Sequence, residues 1–360
     1  MELESLYGGI YKNRTCLVTG HTGFKGSWLV YWLQKMGAKV IGYSLEPLTE
    51  PNHYSLLDIN YTSVIGDITD NEKLTDTFNK YQPEIVFHLA AQALVRYSYH
   101  NPVETFTTNV LGTVNILEAS KKTNSVKAIV NITSDKCYDN KEWIWGYRES
   151  DAMGGYDPYS ASKGCAELVT SSYQKSFFNE NEKLLASARA GNVIGGGDWS
   201  EDRLIPDIVK STENKVKVEI RNPLATRPWQ HVLEPLSGYL MLGWKLLLGE
   251  KQYAEGWNFG PKLESNLEVK TVVDETQKHW DKIDYLTNKD KSNHHEANLL
   301  MLDCSKANKI LKWNPIWDFN TTIEKTILWY RSYLEKGKIK TEDDLISYIK
   351  RAKDKKAVWT

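Results

Sequence analysis

Residues 19–26 read Thr19-Gly20-His21-Thr22-Gly23-Phe24-Lys25-Gly26, with glycines at intervals of three. The stretch follows the β-rich run 15–19 and precedes the apolar-periodic segment 27–36, which predicts a turn between a first strand and a first helix. Such glycines permit a tight turn, close backbone approach to a pyrophosphate, and close packing of helix on strand. Phosphates would lie against free N–H groups at the helix N-terminus. A turn that uses its glycines only for geometry is the alternative, and the βαβ context argues against it.

Strand-like and helix-like segments alternate through the first half of the chain. Beyond the first pair, strands are predicted at 39–43, 63–65, 84–89, 126–132, 184–188 and 257–259, and helices at 71–81, 103–120, 158–178 and 235–248. This alternation is typical of an α/β fold with a doubly wound parallel sheet. After Gly191 the pattern breaks into loops and polar helices, which indicates a smaller mixed α/β substrate-binding lobe. We expect residues 1–190 plus 235–262 to form the dinucleotide-binding domain, and residues 191–234 and 263–360 the lobe.

Composition excludes several classes of protein. The 360 residues are 41% hydrophobic and 25% charged, and 45 basic residues nearly cancel 46 acidic ones, so no global field attracts nucleic acid or an anionic membrane. Scattered cysteines without a C-x-x-C pair predict neither a disulfide framework nor a zinc site. The His294-His295 pair lacks partner ligands at useful spacing, so we expect no metal. Neither a secretory signal nor a long apolar run is found, which favours a cytoplasmic location.

The segment Tyr159-Ser160-Ala161-Ser162-Lys163 places a tyrosine and a lysine at i and i+4, on one face of a predicted helix. A phenol with a pKa of about 10 is a poor base near neutrality. A neighbouring ammonium stabilises the phenolate and lowers that pKa, so the pair could take a proton from a sugar hydroxyl. Two exposed helix residues are the alternative interpretation.

A second group of candidates follows the predicted strand 126–132. Ser134, Asp135 and Lys136 lie in immediate succession at the carboxyl edge, where α/β sheets place their ligands. A carboxylic acid can protonate a leaving hydroxyl, and a lysine can act as a base if burial leaves it neutral. Solvated loop charges are the alternative for Asp135 and Lys136.

These motifs together resemble the extended short-chain dehydrogenase/reductase superfamily. Longer runs are similar to the CDP-glucose 4,6-dehydratases of the NAD-dependent epimerase/dehydratase family, namely 18–29, 42–47, 88–92, 133–136, 191–199 and 226–232, with weaker likeness at 257–260 and 295–297. The resemblance implies a Rossmann fold, NAD as cofactor and CDP-glucose as small-molecule substrate. It implies a lyase that forms CDP-4-dehydro-6-deoxy-D-glucose by oxidation at C4, loss of water across C5 and C6, and hydride return to C6.

For the cofactor, the resemblance implies contacts from the glycine-rich turn, the segments after the third and fourth strands, and the tyrosine and lysine. These residues are Gly20, Thr22, Gly23, Phe24, Lys25, Gly26, Asp67, Ile68, Ala90, Ala91, Gln92, Tyr159 and Lys163. A cap at the start of a helix is a competing role for Asp67. The second strand ends Gly42-Tyr43-Ser44-Leu45, with neither a ribose-binding acid nor an arginine for a 2′-phosphate, so this position leaves NAD versus NADP open.

For catalysis, the resemblance implies that Tyr159 is the base at C4, that Lys163 holds the nicotinamide ribose, and that Ser134 binds the reacting hydroxyl. Asp135 would protonate the C6 hydroxyl, and Lys136 would be the C5 base or its electrostatic partner. The lysine departs from the Asp-Glu pair of dTDP-glucose dehydratases. Asn109 matches an asparagine whose carbonyl supports a proton relay, with helix packing an equal alternative.

For the substrate, the resemblance implies a nucleotide diphosphate held by the second lobe. Candidate residues are Arg96, Asn192, Arg203, Leu204, Arg221 and Arg227. Arg227 is the strongest of them, because a guanidinium gives phosphate a bidentate contact. A surface or loop-anchoring salt bridge is the alternative for each arginine.

Several questions stay open at this point. A nucleotide-sugar 4-epimerase and a catalytically silent nucleotide-sugar sensor are the other functions considered. An epimerase needs neither Asp135 nor Lys136, and a sensor needs none of Ser134, Tyr159 and Lys163. The superfamily implies a homodimer through a four-helix interface of 103–120 and 158–178, with higher assembly undetermined. Base preference is not readable, and the expected product serves deoxysugar biosynthesis for O-antigen and lipopolysaccharide.

Overall fold

The structure is a computed structural model that describes residues 3–178, 182–220, 222–287 and 299–360. Arg221 and the pair His294-His295, which the sequence singled out, lie outside the described residues, as does the weak family-like run 295–297.

Thirteen strands and twelve α-helices, joined by short 3₁₀ and π turns, form the described part of the chain. The strands are β1 Thr15–Thr19, β2 Lys39–Ser44, β3 Thr62–Ile65, β4 Ile85–His88, β5 Ala128–Ile132, β6 Leu184–Arg189, β7 Val193–Ile194, β8 Val218–Ile220, β9 Thr226–Pro228, β10 Gln230–His231, β11 Gly256–Asn258, β12 Asn266–Glu268 and β13 Tyr285–Thr287. The helices are α1 Phe24–Lys35, α2 His53–Leu56, α3 Asn71–Tyr81, α4 Val95–His100, α5 Pro102–Phe106, α6 Gly112–Lys122, α7 Pro158–Tyr173, α8 Leu204–Glu213, α9 Leu233–Leu247, α10 Val269–His279, α11 Phe319–Lys336 and α12 Thr341–Asp354.

Seven parallel strands form the central sheet in the order β11-β6-β5-β4-β1-β2-β3. All five residues of β5 are buried, as expected for a strand covered on both faces by helices. The strand order reverses between β1 and β4, which opens a crevice at the carboxyl edge. The predicted doubly wound α/β fold is confirmed, including the late strand near Trp257, which pairs with β6.

Three two-stranded sheets lie outside the central sheet: β7 with β10, β9 with β12, and β8 with β13. They belong to the predicted second lobe, whose mixed α/β character follows from these strands and the helices between them. The division into two domains at the predicted boundaries stays a prediction.

The predicted helix 103–120 differs from the structure in one respect. A π turn, Thr107–Leu111, separates α5 from α6. A second π turn, Gln174–Phe178, extends α7 to the end of the predicted helix 158–178. The first of these π turns, Thr107–Leu111, contains the buried Asn109, in keeping with the frequent occurrence of such turns at functional sites. Among the described helices, none is both long and apolar enough to cross a membrane.

The C-terminal segment packs against the core beside α1 and α9. Trp359 stacks on Tyr7 with 5.2 Å between ring centroids, and the Tyr7 N–H donates to the Trp359 carbonyl at 2.8 Å. Nearby, the buried Glu234 in the first turn of α9 accepts a hydrogen bond of 2.8 Å from the Tyr348 hydroxyl.

Glu234 also accepts backbone N–H groups of Ile316 and Trp317 at 2.9 and 2.7 Å. Burial raises the pKa of Glu234 to about 7, and these hydrogen bonds only partly oppose that effect. The folded chain therefore binds a proton that the unfolded chain has released at mildly acidic pH.

We predict that Glu234→Gln removes a pH-dependent part of the stability. Because the folded pKa lies above the unfolded one, this stabilisation is complete below about pH 4.5 and is lost as pH rises through about 7. The unfolding free energy of the parent minus that of the variant should fall by on the order of 2–3 kcal/mol between pH 5 and 8. Urea unfolding of both proteins at a series of pH values measures this difference, in which the contributions of other titrating groups cancel. A difference that does not change with pH would contradict the raised pKa of Glu234.

Candidate active site

The predicted catalytic residues meet at the carboxyl edge of the central sheet. Tyr159 and Lys163 lie in the first turns of α7, whereas Ser134 and Asp135 directly follow β5, and all four are buried. The Asp157 carboxylate caps α7 by accepting the Ser160 N–H at 2.9 Å. Pro158 at the first helical position fixes the start of the helix, so the tyrosine and the lysine share one face.

Ser134 joins the strand tip to the helix. Its hydroxyl donates to Asp135 Oδ1 at 3.0 Å, accepts the Lys136 N–H at 3.2 Å, and hydrogen-bonds the Tyr159 phenol. The serine thereby caps the 3₁₀ turn Asp135–Cys137, which directs the Asp135 carboxylate inward. The Lys136 side chain is only partly buried. Neither Asp135 nor Tyr159 is a solvated surface group.

The electrostatics of Tyr159 differ from the sequence-based expectation of a lowered pKa. Burial raises the pKa of Tyr159 to about 12, and the Asp135 charge adds to that effect. The Ser134 hydrogen bond and the Arg203 charge act in the opposite direction without overcoming burial. The pKa of Lys163 is lowered to about 8 by burial, with the Glu167 charge opposing the change. An ammonium in the same water-poor cleft therefore does not by itself make the phenol acidic.

Two residues in the cleft, Gly191 and Lys25, lie beside predicted catalytic residues, which the sequence did not predict. Gly191 follows β6, and a methyl group there would overlap the Asp135 carboxylate. Lys25, predicted only as a cofactor residue, lies close enough to Asp135 and Lys163, two predicted catalytic residues, for their charges to act on it. Its pKa is lowered to about 8, first by burial and next by Arg203, while Asp135 opposes the shift. No local pattern signals either contact, because each one joins segments that are distant in sequence.

The glycine-rich turn has the geometry expected of a phosphate site. Gly20 has a φ of 73°, and a Cβ there would lie 2.8 Å from the Ala90 nitrogen. A Cβ on Gly26 would overlap the Gly20 carbonyl. Helix α1 begins after Gly23 without a capping side chain, so the N-terminal N–H groups of this helix are available to an anion. The turn fits a dinucleotide pyrophosphate.

The residues predicted near the adenosine line the far side of this crevice. Thr22 Oγ1 lies 2.9 Å from Ser44 Oγ, at the end of β2 where a ribose-binding acid was expected and is missing. Asp67 borders a cavity of about 500 Å³. The cap of α3 is Asp70, whose carboxylate accepts the Lys73 N–H at 3.1 Å, so the alternative role of Asp67 as that cap is wrong.

Asn109 ties the segment after β4 to α7. Its amide donates to Ser162 Oγ at 2.8 Å and to the Gln92 carbonyl at 3.0 Å, while its Oδ1 accepts the Gln92 N–H at 2.8 Å. Its backbone carbonyl accepts the Thr113 hydroxyl at 2.7 Å. These contacts place Ala90, Ala91 and Gln92 along the crevice beside the glycine-rich turn.

The substrate candidates occupy the opposite wall and the mouth of the cleft. Arg203 pairs with Asp198 at 2.8 Å and immediately precedes Leu204, the first residue of α8. Arg96, on α4, reaches Asp202 at 3.5 Å. These ion pairs place Arg96 and Arg203 in the same region as Tyr159. The Arg203 charge partly opposes the rise in the Tyr159 pKa that burial causes.

Asn192 and Arg227 lie farther along the same lobe. Asn192 has a φ of 46°, and its side-chain amide nitrogen is buried with no hydrogen-bond partner within the described ranges. A buried donor without an acceptor is costly, so a bound oxygen at this position would satisfy the amide. Arg227 is half-buried on β9, and its guanidinium donates to the Thr226 carbonyl at 2.8 Å. Nowhere in the described segments do three or more His, Cys, Asp or Glu side chains group to hold a metal.

Comparison with known proteins agrees with this geometry. A family model described as GDP-mannose 4,6 dehydratase matches residues 17–326. A CDP-glucose 4,6-dehydratase from Salmonella typhimurium is 53% identical over 345 residues, covering 93% of this chain and 94% of that protein. The solved epimerase Mth375 from Methanothermobacter thermautotrophicus has a TM-score of 0.79 at 25% identity, covering 90% of this chain and 94% of that one.

A UDP-glucose 4-epimerase from Brucella ovis, solved in complex with NAD, has a TM-score of 0.74 over 88% of this chain and 98% of that one. At 21% identity this likeness bears on the fold alone. The resemblance found in the sequence is confirmed at the level of family. With a family model spanning residues 17–326 and a relative identical at 53% of the aligned positions, the chain belongs to the GDP-mannose 4,6 dehydratase family.

Proposed function

We propose that this protein is an NAD-dependent lyase that converts CDP-D-glucose to CDP-4-dehydro-6-deoxy-D-glucose. The observation that carries the proposal is the buried Asp135 carboxylate, held 3.0 Å from the Ser134 hydroxyl beside Tyr159. Oxidation at C4 uses the tyrosine, the lysine and the serine, whereas elimination of water also needs an acid at C6 and a base at C5. The relative at 53% identity is a CDP-glucose 4,6-dehydratase, which supports the choice of nucleotide.

The residues act in the following order. Tyr159 takes the proton of the C4 hydroxyl while Ser134 holds that oxygen, and Lys163 stabilises the phenolate charge. Lys136 removes the C5 proton, which the new C4 ketone has made acidic, and Asp135 protonates the C6 hydroxyl so that it leaves as water. NAD, when bound, would supply a nicotinamide ring able to take up a hydride and give it back, so that one water is lost with no net redox change. Lys136 finally returns its proton to C5, and the proton that Tyr159 took up replaces the one that Asp135 gave to the leaving water.

The chain's own groups fit this cofactor. The open N-terminus of α1 and the close approach of Gly20 to Ala90 suit the pyrophosphate, and Lys163 lies where it can hold the nicotinamide ribose. The hydroxyls of Thr22 and Ser44, 2.9 Å apart at the end of β2, would take the place of an acid at the adenosine ribose. Gly23, Phe24, Lys25, Gly26, Asp67, Ile68, Ala91 and Gln92 complete the proposed contacts.

The second lobe, residues 191–234 and 263–360, would hold the nucleotide end of the substrate. The unpartnered amide of Asn192 and the guanidinium of Arg203 suit the sugar diphosphate, with Leu204 beside them. Arg96, Arg221 and Arg227 are the remaining proposed contacts. A cytoplasmic homodimer through the helices of 103–120 and 158–178, serving lipopolysaccharide deoxysugar synthesis, completes the proposal.

The fold does not exclude a 4-epimerase, since both solved neighbours described above are epimerases. Asp135 and Lys136 favour the dehydratase because hydride return to C4 needs neither group. A silent sensor would have no use for a buried Tyr159 and Lys163 beside Ser134.

We predict that CDP-glucose loses one water when incubated with the protein and NAD. Mass spectrometry of a panel of CDP-, UDP-, GDP- and dTDP-glucose should detect the dehydrated product first with the CDP sugar, and Tyr159→Phe should abolish it. Thermal stabilisation by CDP-glucose without a keto-sugar would indicate the sensor. Isomerisation without mass loss would indicate the epimerase.

We predict that Lys136→Met slows exchange at C5. Loss of a general base costs about 100-fold or more, so solvent deuterium should enter C5 far more slowly than in the parent. Lys141→Met is the matched control, because Lys141 is an exposed lysine of the same loop, paired with Asp139 at 2.6 Å. Undiminished exchange in the Lys136 variant would remove this residue from the role of base.

We predict that Gly191→Ala selectively impairs the elimination step. The added methyl group would displace the Asp135 carboxylate, which should lower kcat by about 10- to 100-fold because misplacement of a catalytic group by about 1 Å has effects of that size. NAD affinity, measured by fluorescence titration, should change less than twofold, since the glycine-rich turn is untouched. Wild-type kcat in this variant would show that Asp135 does not protonate the leaving group.

A further inference from the structure

A third polar residue of α7 shares the face that carries the catalytic pair. Glu167 follows Lys163 by one helical turn and Tyr159 by two, and only 4% of its surface is exposed. The spacing places its carboxylate under the catalytic cleft, on the side of the central sheet. Glu167 has no part in the chemistry proposed above.

Both oxygens of this carboxylate are engaged by the sheet. The Thr133 hydroxyl donates to Oε1, the Ser187 hydroxyl donates to Oε2 at 2.7 Å, and Arg189 Nη2 donates to Oε2 at 2.7 Å. Thr133 directly precedes Ser134, and Ser187 and Arg189 lie on β6. One side chain thus connects α7, the catalytic strand tip and the neighbouring strand.

Arg189 extends this network away from the cleft. Its Nη1 donates to the Tyr138 hydroxyl at 2.6 Å and to the Glu149 carbonyl at 3.2 Å. The Tyr138 hydroxyl in turn donates to Asn258 at 2.7 Å. A buried ion pair of this kind seldom stabilises a fold more than apolar packing of the same volume would, so stability is a weak explanation for a charge at this position.

We propose that Glu167 is a positioning residue that keeps the Lys163 side chain in its ammonium form and holds the Thr133-Ser134 strand tip against α7. The inference rests on the proposed function, because it assigns Lys163 its role beside the phenolate. Burial would raise the pKa of Glu167, but Arg189 and the hydroxyl donors hold it below its usual range, so Glu167 is an anion at working pH.

The effect of the Glu167 carboxylate on Lys163 depends on the other titratable groups around this lysine. Lys25 repels the ammonium, and His88 is neutral because burial and the Lys163 charge lower its pKa. Burial raises the pKa of the Cys137 thiol, and burial also keeps the Tyr159 phenol protonated. The titratable groups that face Lys163 from α1, β4, the turn after β5 and α7 are thus Lys25, His88, Cys137, Tyr159 and Glu167. Asp135, in the same turn after β5, is a second carboxylate of the cleft, but its charge acts on Lys25 and Tyr159, whereas the carboxylate that opposes the lowering of the Lys163 pKa is Glu167.

Glu167→Gln tests the proposal by two independent readouts. Removing the carboxylate leaves the Arg189 guanidinium unpaired, so both changes should lower the pKa of Lys163 from about 8. In the holoenzyme turning over CDP-glucose, the alkaline limb of the kcat profile should move down by about one pH unit, which is about a tenfold loss at pH 8.5. In the protein without substrate, the ¹³Cε resonance of Lys163, assigned with Lys163→Met, should titrate at a correspondingly lower pH.

Two further variants keep the test decisive. Ser187→Ala removes one hydrogen bond from Glu167 but leaves its charge, so neither the limb nor the resonance should move. Should Glu167→Gln fail to fold, Glu167→Gln combined with Arg189→Met removes both charges together and should still lower the Lys163 midpoint.

An unchanged Lys163 midpoint in the folded variant, with kcat reduced equally at every pH, would overturn the proposal and leave Glu167 a structural residue. A parent protein that dehydrates no nucleotide sugar would instead overturn the proposed function, while the resonance titration would still decide the role of Glu167.

Discussion

Desolvation of opposite charges in one cleft is the constraint on which the rest of the structure depends. Lys163 and Asp135 are both buried, and neither side chain can be moved into a low-dielectric site without partners that offset the lost hydration. Asp135 has the Ser134 hydroxyl, and Lys163 has the Glu167 charge one turn away. The strand tip and α7 are held together by the Thr133 hydroxyl, which precedes Ser134 and donates to the Glu167 carboxylate.

The same constraint explains why Tyr159 does not have the acidic phenol that its neighbouring lysine suggested. Burial penalises the phenolate as well as the ammonium, and the Asp135 carboxylate adds a repulsive charge to the phenolate. Lowering the phenol pKa therefore requires further positive charge in the cleft, and Arg203 already contributes part of it. In the proposed mechanism, a phenol that ionises only after cofactor and substrate have bound would avoid an isolated buried anion in the free protein.

The elements that sequence analysis predicted well are those with a strong local signal. Strand Thr15–Thr19 and helix Asn71–Tyr81 were predicted with the observed boundaries, because a β-rich run before glycines and a 3.6-residue apolar period depend only on nearby residues. The π turn at Thr107–Leu111 was not predicted, since a single widened turn leaves the apolar period nearly unchanged. The clustering of Ser134, Asp135, Tyr159 and Lys163 followed from topology, which brings the end of a strand to the start of the next helix.

The features that the sequence did not predict are tertiary contacts between segments that are distant along the chain. The contact of Asp135 with Gly191 joins the ends of β5 and β6, and the ion pair of Glu167 with Arg189 joins a helix to a strand twenty-two positions away. Neither contact has a motif, because the partners are fixed by strand order and not by spacing along the chain. In the proposed mechanism, the sheet and the glycine-rich turn would serve a dehydratase and an epimerase alike, whereas the Asp135 acid packed against Gly191 would serve only elimination. If that proposal holds, the choice of reaction depends on how the ends of β5 and β6 pack, and a Cβ at Gly191 would disturb that packing because it would overlap the Asp135 carboxylate.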